Sequence, residues 1–385
     1  MYPRDAANPL ARLAQGFPVV ALTGPRQSGK TTLARAEFPG KPYISLENPD
    51  EREFALSDPR RFLERFPEGA ILDEIQRCPT LFSWLQGIVD ERHRMGEFVL
   101  TGSSQFGLMA SISQSLAGRV GSVELLPLSL PEMKKAECLP EKLDQLLLNG
   151  SYPAIYSRSL SPADWYSNYT ATYLERDVRQ LLEIRDLALF QRFLRLCAAR
   201  TGQLLNLSDL GSDCGITGVT ARQWLSVLEA SYLVVRLQPY HRNYGKRLVK
   251  TPKLYFLDTG LAAWLLGIRD TETLSVHPQR GALFETWVVQ EHFKASWNQG
   301  ETPQLSFWRD SAGNEVDLMS ERGLTLTPTE IKSGATFASD WPAAIKRFMK
   351  LGHSDLAMPR IVYGGHASFE REDYRVIGWR DLQPD

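Results

Sequence analysis

Gly24-Pro25-Arg26-Gln27-Ser28-Gly29-Lys30-Thr31 is the stretch on which the reading of this chain turns. It carries the spacing G-x-x-x-x-G-K-[ST] in full, with a second threonine, Thr32, behind it. An apolar strand candidate (17–23) precedes it and a helical stretch (30–38) follows, which is the setting the spacing needs. In that setting the glycines let backbone N–H groups curl around a polyphosphate, and the helix N-terminus adds partial positive charge. Lys30 is placed to reach the β- and γ-phosphates, and the Thr31 hydroxyl to take a position on Mg²⁺. Pro25, Arg26, Gln27, Ser28 and Thr32 complete the expected cradle. The octet therefore predicts a bound nucleoside triphosphate.

Working outward, five short apolar runs (17–23, 42–46, 69–73, 97–103 and 120–126) alternate with polar, helix-like stretches. This is the pattern of a parallel sheet covered on both faces. The third run delivers Asp73 and Glu74 at its carboxyl end, the edge at which open α/β sheets bind ligands. Asp73 suits a position beside the Mg²⁺, and Glu74 suits the base that orients and deprotonates attacking water. The fourth run ends Leu100-Thr101-Gly102-Ser103-Ser104. Ser103 or Ser104 there either senses the γ-phosphate from between the two acids or merely caps the following helix.

Length and composition set the frame. A chain of 385 residues predicts two or three domains, each with ample core. With 44 basic and 45 acidic residues the net charge is −1, so any DNA surface must be local. Cys78, Cys138, Cys197 and Cys214 lack C-x-x-C spacing, which argues for a reducing cytoplasm and against zinc or a disulfide framework. No apolar run approaches membrane-spanning length and the N-terminus has no apolar leader, so the expected location is cytoplasmic, with no membrane partner.

Ser115-Leu116-Ala117-Gly118-Arg119 places Arg119 between a helix end and the last of the five strands. Here the sequence resembles the AAA+ ATPases, whose arginine finger occupies that helix end and reaches the γ-phosphate of a neighbouring subunit. The resemblance implies ATP as the nucleotide, an AAA+-type P-loop core over 1–130 and a homo-oligomer as the active unit. The plainer alternative is that Arg119 caps its own helix C-terminus.

Residues 131–187 read as a helical lid with a turn at Gly150-Ser151-Tyr152-Pro153. Apolar spacing predicts a helix over 168–182, from which Arg176 and Arg179 meet either nucleotide or solvent. Residues 188–256 read as helix, helix, turn, helix and two strands, a winged helix with Val219, Leu225 and Leu228 turned inward. Arg236, Arg242, Lys246, Arg247, Lys250 and Lys253 lie close together without an intervening acid, interleaved with Tyr240, His241 and Tyr244. Arg242, Lys246, Arg247 and Lys250 are the candidate contacts to a DNA backbone, and the alternative is a module that packs domains together.

In 257–385, an amphipathic helix over 281–295 carries Glu285, a strand carries Asp317, and a return strand ends Glu330-Ile331-Lys332. Side chains two apart on a strand share a face, so Glu330 and Lys332 point together and a hairpin brings Asp317 alongside. Glu285, Asp317 and Glu330 offer hard oxygens to Mg²⁺, and Lys332 suits charge stabilisation in phosphodiester hydrolysis. Glu315 is read as pointing elsewhere, and Pro328 as making its strand irregular or late. The alternative for the set is a surface ion pair across a hairpin. The constellation resembles the PD-(D/E)XK nuclease fold. With Lys253-Leu-Tyr-Phe-Leu-Asp-Thr-Gly-Leu, Gly281-Ala-Leu-Phe-Glu and Glu315-Val-Asp, nearly the whole chain resembles a prokaryotic family joining an AAA-type ATPase, a winged helix and a PD-(D/E)XK-like domain. The resemblance implies ATP hydrolysis coupled to DNA binding or remodelling, with metal-dependent cleavage by the last domain. The competing class is a nucleotide switch acting on a protein partner, with the nuclease-like domain an inactive scaffold.

Overall fold

The computed structural model describes residues 2–103, 115–174, 186–240, 250–351 and 356–384. Two compact units are present. The first comprises Met1–Leu128 with Ala230–Tyr232 and Ser296–Thr302; the second comprises Ser129–Glu229, Leu233–Ala295 and Pro303–Asp385.

All five expected strands of the first unit form: β1 (Val19–Thr23), β2 (Tyr43–Ser45), β3 (Ile71–Asp73), β4 (Phe98–Gly102) and β5 (Val120–Glu124). They make one parallel sheet in the order β2-β3-β4-β1-β5. Every residue of β1 and β4 is buried, as expected of strands covered on both faces. The period of two sorts them into two layers. Val19, Ala21, Leu72, Phe98 and Leu100 face Phe62, Phe66, Leu81 and Phe82. Val20, Leu22, Ile71 and Val99 face Ala6, Leu10, Leu33 and Ala34. Because β4 runs between β1 and β3, with Thr23 beside Gly102 and Asp73 beside Thr101, three strand ends converge on one point of the sheet edge.

The second unit begins with short helices, Leu130–Lys135, Leu143–Asn149, Pro153–Ser157 and Pro162–Tyr169, the last continuing into a wide turn, Thr170–Leu174. Ser129 and Glu132 form a reciprocal capping box at the first of them. Asp258 fixes the turn at Gly150-Ser151-Tyr152-Pro153. Its carboxylate accepts from Ser151 N (2.8 Å), Ser151 Oγ (3.1 Å) and Tyr166 OH (2.6 Å), and it caps the helix Thr259–Leu265 through Leu261 N (2.9 Å). Gly150 sits at φ +65 where a Cβ would fall 2.1 Å from Tyr166 OH, so only glycine closes that turn.

Helices Leu187–Ala199, Leu207–Cys214 and Gly218–Ala230 follow, the last two joined through Gly215 at φ +82. Leu225 and Leu228 are buried as expected, whereas Val219 is 68% exposed: in the first turn of its helix it faces solvent.

Among the described residues the remaining strands are β6 (Gln203–Leu204), β7 (Val234–Pro239), β8 (Lys253–Phe256), β9 (Leu305–Arg309), β10 (Glu315–Arg322), β11 (Thr325–Lys332), β12 (Arg360–Tyr363), β13 (Phe369–Glu370) and β14 (Arg375–Gly378). They form a single sheet in the order β13-β14-β12-β11-β10-β9-β7-β8-β6. The hairpin expected as a wing thus continues, through the parallel pair β7–β9, into the sheet of the C-terminal segment. Tyr240, read as interleaved with the cations of that wing, packs in the core with Trp308, Val316, Ile345, Phe348 and Ile361.

Strand β11 is continuous through Pro328, against the expected irregularity. Leu326 O and Lys332 O both accept from the β12 side, so Pro328, of the same parity, turns its missing donor that way. The β12 ladder starts only at Thr329, and nothing is lost. The helix expected over 168–182 is described only to Leu174, and Arg176 and Arg179 lie outside the described residues. No described helix is long and apolar enough to cross a membrane, and all four cysteines are free thiols.

Candidate functional site

The loop 24–31 leaves the end of β1 and feeds the helix Lys30–Glu37 directly. Gly24, at φ +144, lies where a Cβ would come within 2.1 Å of Leu125 O, and Gly29 holds the helix N-cap at φ +99. Both glycines are therefore demanded by the backbone. Lys30 is buried, with Nζ donating to Gly24 O (2.9 Å) and Pro25 O (2.7 Å). Burial pulls its ammonium down to about 8, against the opposing charges of Glu74 and Asp73.

The strand ends bring further side chains to the loop. Thr31 Oγ1 donates to Asp73 Oδ1 at 3.0 Å, Tyr43 OH to Asp73 Oδ2 at 2.8 Å, and Thr101 Oγ1 also bonds Asp73 Oδ1. Burial and this hydrogen bond push the Tyr43 phenol up to about 12. Ser103 Oγ donates to Glu74 Oε2 at 3.1 Å, so Ser103, just past the end of the strand between β1 and β3, touches the second acid; Ser104 lies outside the described residues. Glu74 is buried and sits at φ +56, a left-handed conformation unusual for a glutamate and of the kind kept at functional sites. Tyr43 and Thr101 escaped sequence reasoning. Their signal is positional, since each sits one strand over from Asp73 and level with it or two residues away.

The donor set suits Mg²⁺ held with a nucleotide. Thr31 and Asp73 present two hard oxygens 3.0 Å apart, and this ion commonly takes only one or two protein ligands beside phosphates. Arg26 pairs with Glu47 at 3.5 Å, and Thr32 is exposed on the helix. Arg119 lies at the entry to β5, where Nε and Nη2 grip Asp90 at 2.5 and 2.7 Å and Nη1 donates to Ala117 O at 3.0 Å. It ties up its own helix end in this arrangement. Tyr232 OH shares a 2.7 Å hydrogen bond with Thr23 Oγ1, immediately before the loop.

In the second unit Glu285, Asp317, Glu330 and Lys332 lie together, and two side chains not named with them in the sequence join them. Lys253, counted with the wing cations, is 3% exposed, with Nζ 2.9 Å from Glu285 Oε1 and 2.5 Å from Glu315 Oε1. Tyr255, on the same face of β8, donates to Glu285 Oε1 at 2.5 Å. Glu315 thus turns toward the set, which corrects its reading as pointing elsewhere, and its other oxygen pairs with Arg309 at 2.9 Å. Lys332 Nζ is 2.5 Å from Glu330 Oε1 and 3.9 Å from Asp317 Oδ2, which also accepts from Ile331 N at 2.8 Å.

Burial, then the charge of Asp317, pushes Glu330 up to about 8 and Glu285 up to about 7; burial also raises Asp317. Burial works against Lys253 and Lys332, yet the surrounding carboxylates hold both above the ordinary lysine value. Glu330 Oε2 is buried without a hydrogen-bond partner. Among the described residues no three His, Cys, Asp or Glu side chains are arranged to hold a metal ion. The carboxylates are turned onto their own lysines, so the arrangement does not fit the divalent ion expected on Glu285, Asp317 and Glu330.

Of the expected DNA contacts, Lys250 is exposed, and Arg242, Lys246 and Arg247 lie outside the described residues, as do His241 and Tyr244. Arg236, like Lys253, is neutralised: it forms a two-pronged pair with Glu229 at 2.6 and 2.8 Å.

A family profile described as an AAA domain matches residues 16–134, and two described as domains of unknown function, DUF8612 and DUF4143, match 140–272 and 280–382. A Walker-type ATPase of Pyrococcus abyssi aligns with a TM-score of 0.46 at 14% identity, over 69% of this chain and 96% of that one. RuvB of Thermotoga maritima aligns with a TM-score of 0.29 at 18% identity, over 60% and 86%. The AAA domain supports ATP binding and hydrolysis by residues 16–134. The uncharacterized proteins Rv2008c of Mycobacterium tuberculosis and Mb2031c of Mycobacterium bovis are each 35% identical over 376 residues, 96% of this chain and 82% of theirs. This chain therefore belongs to the family of the mycobacterial protein Rv2008c, with an AAA-type ATPase domain at its N-terminal end.

Proposed function

We propose that the chain hydrolyses ATP with Mg²⁺ at the loop 24–31 and couples hydrolysis to DNA held by the helix-turn-helix of the second unit. One observation carries the catalytic half. Glu74 follows β3 in a left-handed conformation with its carboxylate on Ser103, while its neighbour Asp73, which ends the strand, is shared by Thr31 and Thr101. Two adjacent acids thus have different work: Asp73 faces the loop hydroxyl, and Glu74 remains to orient and deprotonate water. Lys30 exchanges two carbonyls for phosphate oxygens when nucleotide enters. Thr31 and Asp73 would hold Mg²⁺, which would supply charge neutralisation for phosphoryl transfer. Ser103 competes for Glu74 and so links the base to the presence of the γ-phosphate. Arg119 acts on a neighbouring copy, because its exposed pair with Asp90 is cheap to release.

Support for DNA is the order of helices Leu207–Cys214 and Gly218–Ala230 followed by the β7–β8 hairpin, with Lys250 exposed on the connection. A second reading, a nucleotide switch acting on a protein partner, is favoured by the neutralisation of Arg236 and Lys253, which removes two of the six cations expected of the wing. In either reading the C-terminal cluster is assigned no cleavage step.

The test is ATP hydrolysis by the purified chain with and without single-stranded, duplex and branched DNA, with Lys30→Ala as the blank. Stimulation by one form establishes the DNA-directed reading. A rate indifferent to all three transfers the assignment to the protein-partner switch.

A further inference from the structure

Arg4 stands in a segment without a recognisable motif, and its guanidinium nevertheless grips the phosphate loop. Nη1 donates to Ser28 O at 2.6 Å and Nη2 to Leu126 O at 2.5 Å. Leu126 follows Leu125, whose carbonyl oxygen is the wall against which Gly24 is packed. A single planar fork therefore ties the far end of the loop to the wall on which its near end rests. Arg4 is itself well anchored. Its carbonyl accepts from Ala7 N at 3.2 Å, at the head of the helix Ala7–Gly16, and Ala6 and Leu10 are buried in the sheet core.

The consequence follows from peptide planarity. The C=O of Ser28 and the N–H of Gly29 belong to one trans peptide and point in opposite directions. Holding Ser28 O toward Arg4 therefore turns the Gly29 N–H away from it, toward the concave side of the loop on which backbone donors meet phosphate. Gly29 keeps the αL conformation at the N-cap, and a Cβ there would lie 3.5 Å from Arg4 Nη1, so the guanidinium also backs the glycine itself.

We propose that Arg4 is a positioning residue for the nucleotide: it sets the Ser28–Gly29 peptide so that the loop is shaped for phosphate before nucleotide arrives. The role rests on nucleotide binding at the loop 24–31. It does not place Arg4 on the substrate. Because loop shape serves ATP and ADP alike, its loss weakens both ligands equally and leaves the chemical step alone.

The experiment compares Arg4→Met, which keeps bulk without donors, and Arg4→Lys, which keeps charge but cannot bridge two carbonyls with one planar fork. Binding of ATP and ADP is measured by calorimetry, with KM, kcat and the unfolding midpoint without nucleotide. Both variants are expected to bind both nucleotides about tenfold more weakly, with KM raised in step and kcat within about twofold of the parent. Their unfolding midpoints without nucleotide should match the parent, while the midpoint shift on adding ADP shrinks. Parental affinity in Arg4→Met overturns the proposal, and parental affinity in Arg4→Lys overturns it in favour of charge alone. A fall in kcat at unchanged KM, or a lowered midpoint in both variants, also overturns it. Absence of nucleotide binding by the parent chain would instead refute binding at the loop.

Discussion

At the scale of the residue, Lys253 and Glu330 show how charge is kept inside the second unit. Lys253 stands among Glu285, Glu315 and, further off, Asp317, while Lys332 serves Glu330 and Asp317. Each carboxylate that is removed from water costs several kcal/mol in effect unless partnered, and one oxygen of Glu330 is not. The cluster relieves that cost by holding protons: Glu330 and Glu285 are pushed up to about 8 and about 7, chiefly by burial and then by Asp317. An acid whose value is higher folded than unfolded binds its proton more tightly in the folded chain. The stability this supplies is complete below the ordinary glutamate value, 4.5, and is lost as pH rises through about 8. Denaturant unfolding between those limits should therefore show stability falling with pH in the parent chain and falling less in Glu330→Gln, which carries no titrating proton there. Equal slopes in the two proteins would show that Glu330 titrates as an ordinary exposed acid.

At the scale of the element, much of the nucleotide site was legible because it is local. The loop 24–31, its strand and its helix are contiguous, and Asp73-Glu74 closes an apolar strand, so spacing alone located them. What spacing could not give were the contacts that topology makes. Tyr43 and Thr101 reach Asp73 from neighbouring strands, and Arg4 reaches Ser28 from the N-terminal segment. Lys253 was misread as a wing cation because its partners lie on the helix Arg280–Asn298 and on β10, far along the chain. A local sign did exist: it opens the wholly buried strand Lys253-Leu-Tyr-Phe, and a lysine there requires a counter-charge. Val219 erred in the other direction, since helical spacing marks a face but does not say how far the partner element extends. The motif that continues β8, Asp258-Thr259-Gly260-Leu261, has a structural purpose. Asp258 holds the turn at Ser151, the Tyr166 hydroxyl and the head of the helix Thr259–Leu265. Asp258→Ala leaves Ser151 N and Leu261 N without that acceptor, while the Tyr166 hydroxyl keeps Asn149 O at 2.9 Å, and should destabilise the second unit by about 3 kcal/mol. Asp258→Asn, which keeps one acceptor oxygen, should recover part of the loss; a change within error in the unfolding free energy of both would remove the turn from the list of structural anchors.

At the scale of the whole molecule, the question is whether one copy of the chain holds a complete hydrolytic site. Lys30, Thr31, Asp73, Glu74 and Ser103 all belong to one sheet edge. Arg119, the candidate finger, does not join them from the same copy: it is committed to Asp90 and to Ala117 O at its own helix end. Its pair is exposed, so exchanging Asp90 for a phosphate on another copy costs little and gains a charge-assisted contact. If the finger acts across copies, Arg119→Ala keeps nucleotide affinity but loses roughly 10³-fold in kcat, the lower end of what such a group supplies. Lys30→Ala fails for the complementary reason, since it binds nucleotide poorly yet still presents a normal Arg119. Mixing the two inactive proteins should then restore hydrolysis, at sites formed by the Arg119→Ala copy's nucleotide and the Lys30→Ala copy's arginine, and specific activity of the parent should rise with its concentration. If the mixture stays inactive while the parent's rate per chain is independent of concentration, Arg119 is a helix cap and the site of a single copy is sufficient.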